Sequence, residues 1–420
     1  MSNNPKWLSA PPSAHTVAVR LIEEVGLMSL PSALFLDPVS EGHEVMNGGD
    51  LAFLVENKNL GKMAVFDLGV RKDWWNLPPK VRDPLAFCVG VKVEKDVPEV
   101  LKDSSISLND INDVIWSHSH LDHRGDVSLF PPSTTVNYGK EVAALKPDVT
   151  GEAEAVFLAS DFAGRRNNEI DFSKSTFKIG GFPALDFYGD GSFYLLDTPG
   201  HDHGHLSALA RTTSTAAGHA KDTFILLAGD ACHFCGVLRP NASHPFPSRH
   251  FPDSSIGLSG IESPETLLQR HPQFPRSSDA VNEASRVTPW YGVATGQLST
   301  FVDPVVGQNT ANKVKEAFDE MDNVFVAVCH DLGLLVQDNG KPVLPSLNKA
   351  PLEDLNSWYE KGWKDKVYWT WANELGKKDE DGRVQPQKPA VTGFWMHGKR
   401  YDIAQDLFEE ARKSQDRMKA

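Results

Sequence analysis

No run of roughly eighteen apolar residues occurs in this 420-residue chain, so no membrane-spanning helix is expected. Cysteine is scarce. The four residues Cys88, Cys232, Cys235 and Cys329 are too few and too scattered to staple a chain of this size. Positive charge is also short, with 42 Lys and Arg against 56 Asp and Glu and a formal net charge of −14. Binding a phosphate backbone needs a basic surface, so no nucleic-acid partner is expected. The start, Met1 to His15, is polar and rich in Pro and Ser, without the apolar stretch of a secretory signal, and a soluble, cytoplasmic location is the expectation. What remains, 40% hydrophobic and 23% charged, is the composition of an ordinary globular protein.

Against that plain background one segment stands out. His118-Ser119-His120-Leu121-Asp122-His123 follows the apolar run Val114-Ile115-Trp116 directly. Burying that many polar groups unpaired would cost several kcal/mol, which excludes a core role. On extended backbone His118 and His120 point the same way, and a turn then carries Asp122 and His123 onward. Imidazole nitrogens with a carboxylate oxygen suit zinc or another borderline divalent metal.

The segment resembles the HxHxDH signature of the metallo-β-lactamase superfamily, whose site takes further ligands from other strand ends. Three matching positions follow in order. Asp197-Thr198-Pro199-Gly200-His201 resembles the family's TPGH turn. Phe224 to Asp230 reads as a buried strand delivering an aspartate, and Val324 to His330 as another ending on a histidine. The resemblance spans roughly residues 50 to 335 and implies an α/β fold, the αββα sandwich. It implies a two-metal centre in which His118, His120 and His201 hold one ion, Asp122, His123 and His330 the other, and Asp230 bridges both. A hydroxide shared by two zinc ions would then attack a carbonyl, with Asp122, Asp230 and His233 as the candidate catalytic residues. His233 stands where bacterial homoserine lactonases carry a tyrosine that assists the carbonyl oxygen. A histidine satisfied by neighbouring backbone is the alternative there. Asp67 matches a structural aspartate that braces the metal loop, and His205 a supporting histidine; His203 is either exposed or supporting.

The stretch Ser117 to Asp126, followed by Phe130-Pro131-Pro132-Ser133-Thr134, is similar to fungal lactonase-type members, and His330-Asp331 to the homoserine lactonases. The implied substrate is a small cyclic ester. The alternatives are a lactam or cyclic carbamate of the benzoxazolinone type, opened in detoxification of plant or microbial compounds, and a thioester. An iron-dependent oxygenase and a non-catalytic binding protein that keeps the fold are further readings. The full seven-residue ligand set argues against the last.

Along the chain, residues 1–50 read as a leader wrapping the fold, with a short strand at Ala33 to Leu36. Residues 51–335 form the metallo-β-lactamase-like domain, and 336–420 a helical, aromatic-rich extension closed by a charged helix over Ile403 to Lys419. Leu51 to Val55 and Met63 to Asp67 form a hairpin. Helices are expected over Gly139 to Lys146 and Asn309 to Met321. Residues 235–302, rich in Pro, Ser, His and aromatics, read as a lid insertion. It would present Phe246, Phe251, Phe274, Trp290 or Tyr291 to the substrate, or pack them on the Trp358 to Trp371 cluster. The CxxC of Cys232 and Cys235 reads as packing or support, and Cys329 as a core residue.

Overall fold

The computed structural model describes residues 8–151, 154–258, 261–274, 283–347, 349, 353–406 and 409. Two six-stranded sheets face one another. The first runs in space through Ala18–Ile22, Ala52–Asn57, Lys62–Phe66, Ile111–Ile115, Thr135–Gly139 and Asn167–Ile170. The second runs through Phe177–Ile179, Phe182–Asp186, Phe193–Asp197, Leu206–Thr213, Thr223–Leu227 and Val324–Ala327.

The strands are apolar on both faces because both faces are covered. In Phe193–Asp197, Phe193 and Leu195 point inward to meet Phe53, Val55 and Phe66 of the first sheet. Tyr194 and Leu196 point outward, toward Val314 and Phe318. On the opposite side Val65, Val114 and Val136 pack with Val97, Val100 and Leu101 of the helix Val97–Asp103. The layers are therefore α/β/β/α, as the pattern implies. Each fully buried Val, Leu or Phe stabilises such a sandwich by about 1.5–3 kcal/mol.

The first fifty residues, read as a leader, supply strands to three sheets. Ala18–Ile22 is the edge of the first, in antiparallel register with Ala52–Asn57 from Ala18 opposite Glu56. Leu27–Pro31 and Val45–Gly49 join Gly90–Lys92, Gly393–Met396 and Lys399–Tyr401 in a third sheet, so both ends of the chain share one layer.

Several local expectations are corrected. Gly139 ends a strand, and Lys140–Leu145 is a 3-10 turn instead of an α-helix. Ala33 and Leu34 lie in a 3-10 turn, and only Leu36–Asp37 is extended, against Gly292–Val293. The late helix begins at Pro304, because the Asp303 side chain accepts the Val306 N–H and Pro304 sits where no N–H is needed. It continues as a π turn over Lys315–Asp319. The hairpin holds, with Asn57 opposite Lys62. The proposed C-terminal helix falls largely outside the described residues, helical at Ala404 to Asp406.

Candidate metal centre

Parallel pairing sets the site. Lys62–Phe66 lies beside Ile111–Ile115, and Thr223–Leu227 beside Val324–Ala327, so the ends of both central pairs open at the same edge. After Ile115 the chain leaves the sheet, and Asp67 takes control of the loop. Its Oδ1 accepts the Ser117 N–H at 2.7 Å, and its Oδ2 stands 2.8 Å from His123 Nδ1. The outer nitrogen of His123 is thereby engaged and Nε2 is turned inward.

The structure brings the seven expected ligand positions together. His118 Nε2 and His120 Nδ1 lie 3.2 and 2.9 Å from His201 Nε2. Asp230 Oδ2 is 3.5 Å from His118 Nε2 and 3.2 Å from both His201 Nε2 and His123 Nε2. Its other oxygen, Oδ1, is 3.1 Å from His330 Nε2. Asp122 Oδ2 stands 3.9 Å from His123 Nε2 and 3.7 Å from His330 Nε2. Asp230 thus reaches two clusters, His118–His120–His201 on one side and His123–His330 on the other.

These donors fit divalent ions. Two ring nitrogens crowd within hydrogen-bond distance of His201 Nε2, which as a neutral imidazole nitrogen cannot satisfy both. Asp230 Oδ1 and His123 Nε2 are buried without a hydrogen-bond partner, although other ring nitrogens stand close. Burial, then the His233 imidazole, lowers His201 to about 3, and burial and neighbouring imidazoles hold His118 well below the usual range. Burial opposes charge on Asp230 as well, yet the imidazoles of His123, His330 and His233 hold its carboxyl well below normal. For His118 and His201, a neutral nitrogen beside an ionised carboxylate is the state in which each can bind a metal; at His123 and His330 burial opposes charge, yet the Asp230 carboxylate holds both rings well above the usual range.

Supporting groups lie one layer out. His205 Nε2 accepts the Asp230 backbone N–H at 2.9 Å while its Nδ1 bonds Thr198 O at 2.8 Å, which fixes the bridging position. His203 is exposed and takes no part. Cys329 donates its thiol to Leu51 O, and Cys235 to Asp331 Oδ2 at 3.1 Å. All four cysteines are free thiols. His233 lies against the site, with Nε2 3.1 Å from Asp230 Oδ2 and its ring parallel to His330 at 5.7 Å.

Sequence reasoning missed four residues here. Asp50 Oδ1 lies 3.3 Å from His330 Nδ1, and burial pushes its carboxyl up to about 6. Asp202, directly after His201, accepts the Ser119 N–H at 2.9 Å; its place beside a ligand was the available signal. Phe35 and Phe301 wall His233 at 4.4 and 5.3 Å. No motif spacing marks Asp50 or the two rings.

Of the two readings of the lid aromatics, the structure follows packing on the C-terminal cluster for Phe246, Phe251 and Trp290. Phe246, Trp290 and Tyr291 are fully buried. Phe246 packs on Trp369 and Trp371 at 5.3 and 6.1 Å, and Trp290 on Trp371 at 5.8 Å. Phe251 lies 6.4 Å from Trp369, and Phe274 sits on His271. Phe246, Phe251 and Trp290 build a shared core with the C-terminal aromatics, and Tyr291 packs on His43 and Phe234, because so much apolar ring surface is more stable against itself than around a polar site. From the 235–302 stretch, Phe301 is the ring placed against His201, at 5.0 Å.

Sandwich and site together define a metallo-β-lactamase hydrolase, and the sequence matches the metallo-beta-lactamase superfamily over residues 50–213. The chain belongs to this superfamily. It is 36% identical over 379 residues to the metallo-hydrolase mfmC of Annulohypoxylon moriforme, covering 88% of this chain and 90% of that one. It is 35% identical to the gamma-lactamase FDB1 of Fusarium pseudograminearum (strain CS3096), covering 88% and 85%. Among solved structures it is similar to an N-acyl homoserine lactone hydrolase with N-hexanoyl-L-homoserine bound at its catalytic metal centre. That match has 13% identity and a TM-score of 0.46, and covers 75% of this chain and 94% of that one. Among the described residues no helix is long and apolar enough to cross a membrane.

Proposed function

We propose that this chain is a dinuclear metal-dependent hydrolase that opens a small ring at an ester or amide carbonyl. The observation that carries the reading is Asp230, whose carboxylate is shared by both histidine groups, Oδ2 lying 3.2 Å from both His201 and His123 and Oδ1 3.1 Å from His330. His118, His120 and His201 would hold one ion, Asp122, His123 and His330 the second, with Asp230 between them; zinc suits this donor set. When bound, the ions supply Lewis acidity at the carbonyl and an activated water.

The protein's own groups do the rest. Asp230, buried among the histidines, receives the proton of the attacking water and returns it to the leaving nitrogen or oxygen. His233, kept neutral by burial, holds its Nε2 3.1 Å from Asp230 Oδ2 and steadies the carboxylate as it changes charge. Phe35 and Phe301 keep bulk water from this side of the site. Residues 51–335 form the unit that carries the chemistry and 336–420 its covering. The likeness to a gamma-lactamase at 35% identity favours a lactam as the ring, with a lactone the second reading.

Elemental analysis of dialysed protein should give close to two divalent ions per chain. Assay against lactones, lactams, cyclic carbamates and acyl thioesters should show turnover of the rings. Protein prepared with ample metal that retains none, or that cleaves thioesters alone, would sink the reading.

A further inference from the structure

The histidines at the site are not all held in the same way. His118 Nδ1 lies 2.9 Å from Ser117 Oγ, His123 Nδ1 2.8 Å from Asp67 Oδ2, and His330 Nδ1 3.3 Å from Asp50 Oδ1. A partner on the second ring nitrogen is what normally aims an imidazole at a metal. His120 and His201 lack one. The His120 ring meets His201 Nε2 through its Nδ1 and makes no other hydrogen bond among the described residues, and His201 Nδ1 is buried without a partner. The direction of these two rings therefore has to come from the backbone that carries them.

For His201 that backbone is fixed from behind. The Val302 N–H donates to His201 O and the Asp303 N–H to Gly200 O, both at 2.9 Å, and the Thr310 hydroxyl donates to Pro199 O at 2.6 Å. Gly200, at a φ of +123°, lets the turn lie against the late helix, where a Cβ would come within 2.2 Å of Gly307 N. His120 has no such backing. It lies within the loop that Asp67 pins at Ser117 and at His123. Between those pins, Ser119 donates its N–H at 2.9 Å and its hydroxyl at 2.5 Å to Asp202 Oδ2. Ser119 precedes His120 and Asp202 follows His201, so these bonds and the His120–His201 contact close a small ring across the two sheets. Asp202 and Ser119 are both buried, which leaves water little chance to compete for the contact. His120 faces the site through Nδ1, the nitrogen nearer its backbone, and so has little side chain with which to absorb a shift of the loop.

We propose that Asp202 is a positioning residue: through Ser119 it sets His120 against His201, and so decides how firmly the three-histidine group holds its ion. The inference rests on the dinuclear reading above and adds to it a residue outside the donor set.

The test titrates metal-loaded full-length protein with a competing chelator and follows the release of each ion. Asp202→Ala should weaken retention of one ion about 10- to 100-fold, leave the other within a few-fold of the parent, and change Tm little. Asp202→Asn, whose amide oxygen can still accept from Ser119, should recover most of that loss. A residue that served folding alone would loosen both ions in step with Tm. That pattern overturns the proposal, as does unchanged retention in Asp202→Ala or an Asp202→Asn variant that holds the ion no better than Asp202→Ala. Should Asp202→Ala fail to fold, Ser119→Ala decides: it removes the hydroxyl contact and should weaken one ion several-fold, and unchanged retention overturns the proposal. A parent that takes up two ions with no effect at Asp202 fells the proposal and leaves the dinuclear reading standing. A parent that takes up none fells that reading, and crystal structures of the metal-free parent and Asp202→Ala then judge the contact. His120 displaced from His201 in the variant sustains the proposal, and an unmoved His120 overturns it.

Discussion

Two buried aspartates in this molecule are surrounded by cationic or potentially cationic groups, and they are treated in opposite ways. Asp319, at the end of the late helix, takes Arg239 Nη2 at 2.8 Å, Asn241 Nδ2 at 3.0 Å and the Tyr368 hydroxyl at 2.8 Å. Beside it Lys364 Nζ donates to the carbonyls of Asp319, Met321 and Val324, which closes the end of the helix. Asp230 is as deeply buried but has one oxygen with no hydrogen bond and a ring of imidazoles that cannot all donate. A saturated buried charge holds elements together, here the insertion, the late helix and the C-terminal extension. An unsaturated one is poised for something else to complete it.

Substitutions at the two centres should separate these roles. Asp230→Asn should lower ring-opening activity by on the order of a thousandfold with only a small change in Tm, because an amide bridges metals poorly. Activity within a few-fold of the parent would show that both histidine groups work alone. Arg239→Leu strands the Asp319 carboxylate and should cost about 3–5 kcal/mol of stability in chemical denaturation. Metal content of the folded fraction should stay that of the parent, and a parallel loss of metal would mean the two centres are coupled.

Smaller effects sharpen the contrast. Asp50→Asn removes the carboxylate behind His330 and should weaken metal retention about 10- to 100-fold, measured by competition with a chelator. Unchanged retention would make Asp50 a bystander. The least effect concerns acid. Burial lowers His43 to about 3 and His244 and His271 to about 4, all on the aromatic side of the molecule. Each is neutral in the folded chain while the unfolded chain takes up a proton near 6.5, so stability falls as pH drops from about 6.5 toward 4. His271→Gln should flatten that slope in denaturation measured across this window; an unaltered slope would place the acid sensitivity elsewhere.

The sequence made the metal side legible and left the aromatic side closed. Candidate ligands such as His118, His201, Asp230 and His330 each follow an apolar strand within a few residues, so local pattern and chemistry coincide there. Phe246 and Trp290 have no such local mark. What buries them is Trp369 and Trp371, far along the chain, and a single sequence does not encode that pairing in any period or spacing. Asp50 fails to stand out for a related reason, since it follows a strand of the third sheet while its partner His330 follows a strand of the second. Helix starts fared worse than strands, because Asp303 and Pro304 set the boundary by capping, outside the apolar period.

The parallel pairing of Val324–Ala327 with Thr223–Leu227 has a consequence for how the protein is made. The sandwich's last strand is also the one that carries His330 to Asp230, and it is synthesised long after the strand it joins. While the ribosome is still making the insertion, the second histidine group lacks a member and its exposed sheet edge lacks a cover. Of the donors gathered at Asp230, His330 is therefore the last to arrive, and the donor set is complete only once this strand has docked.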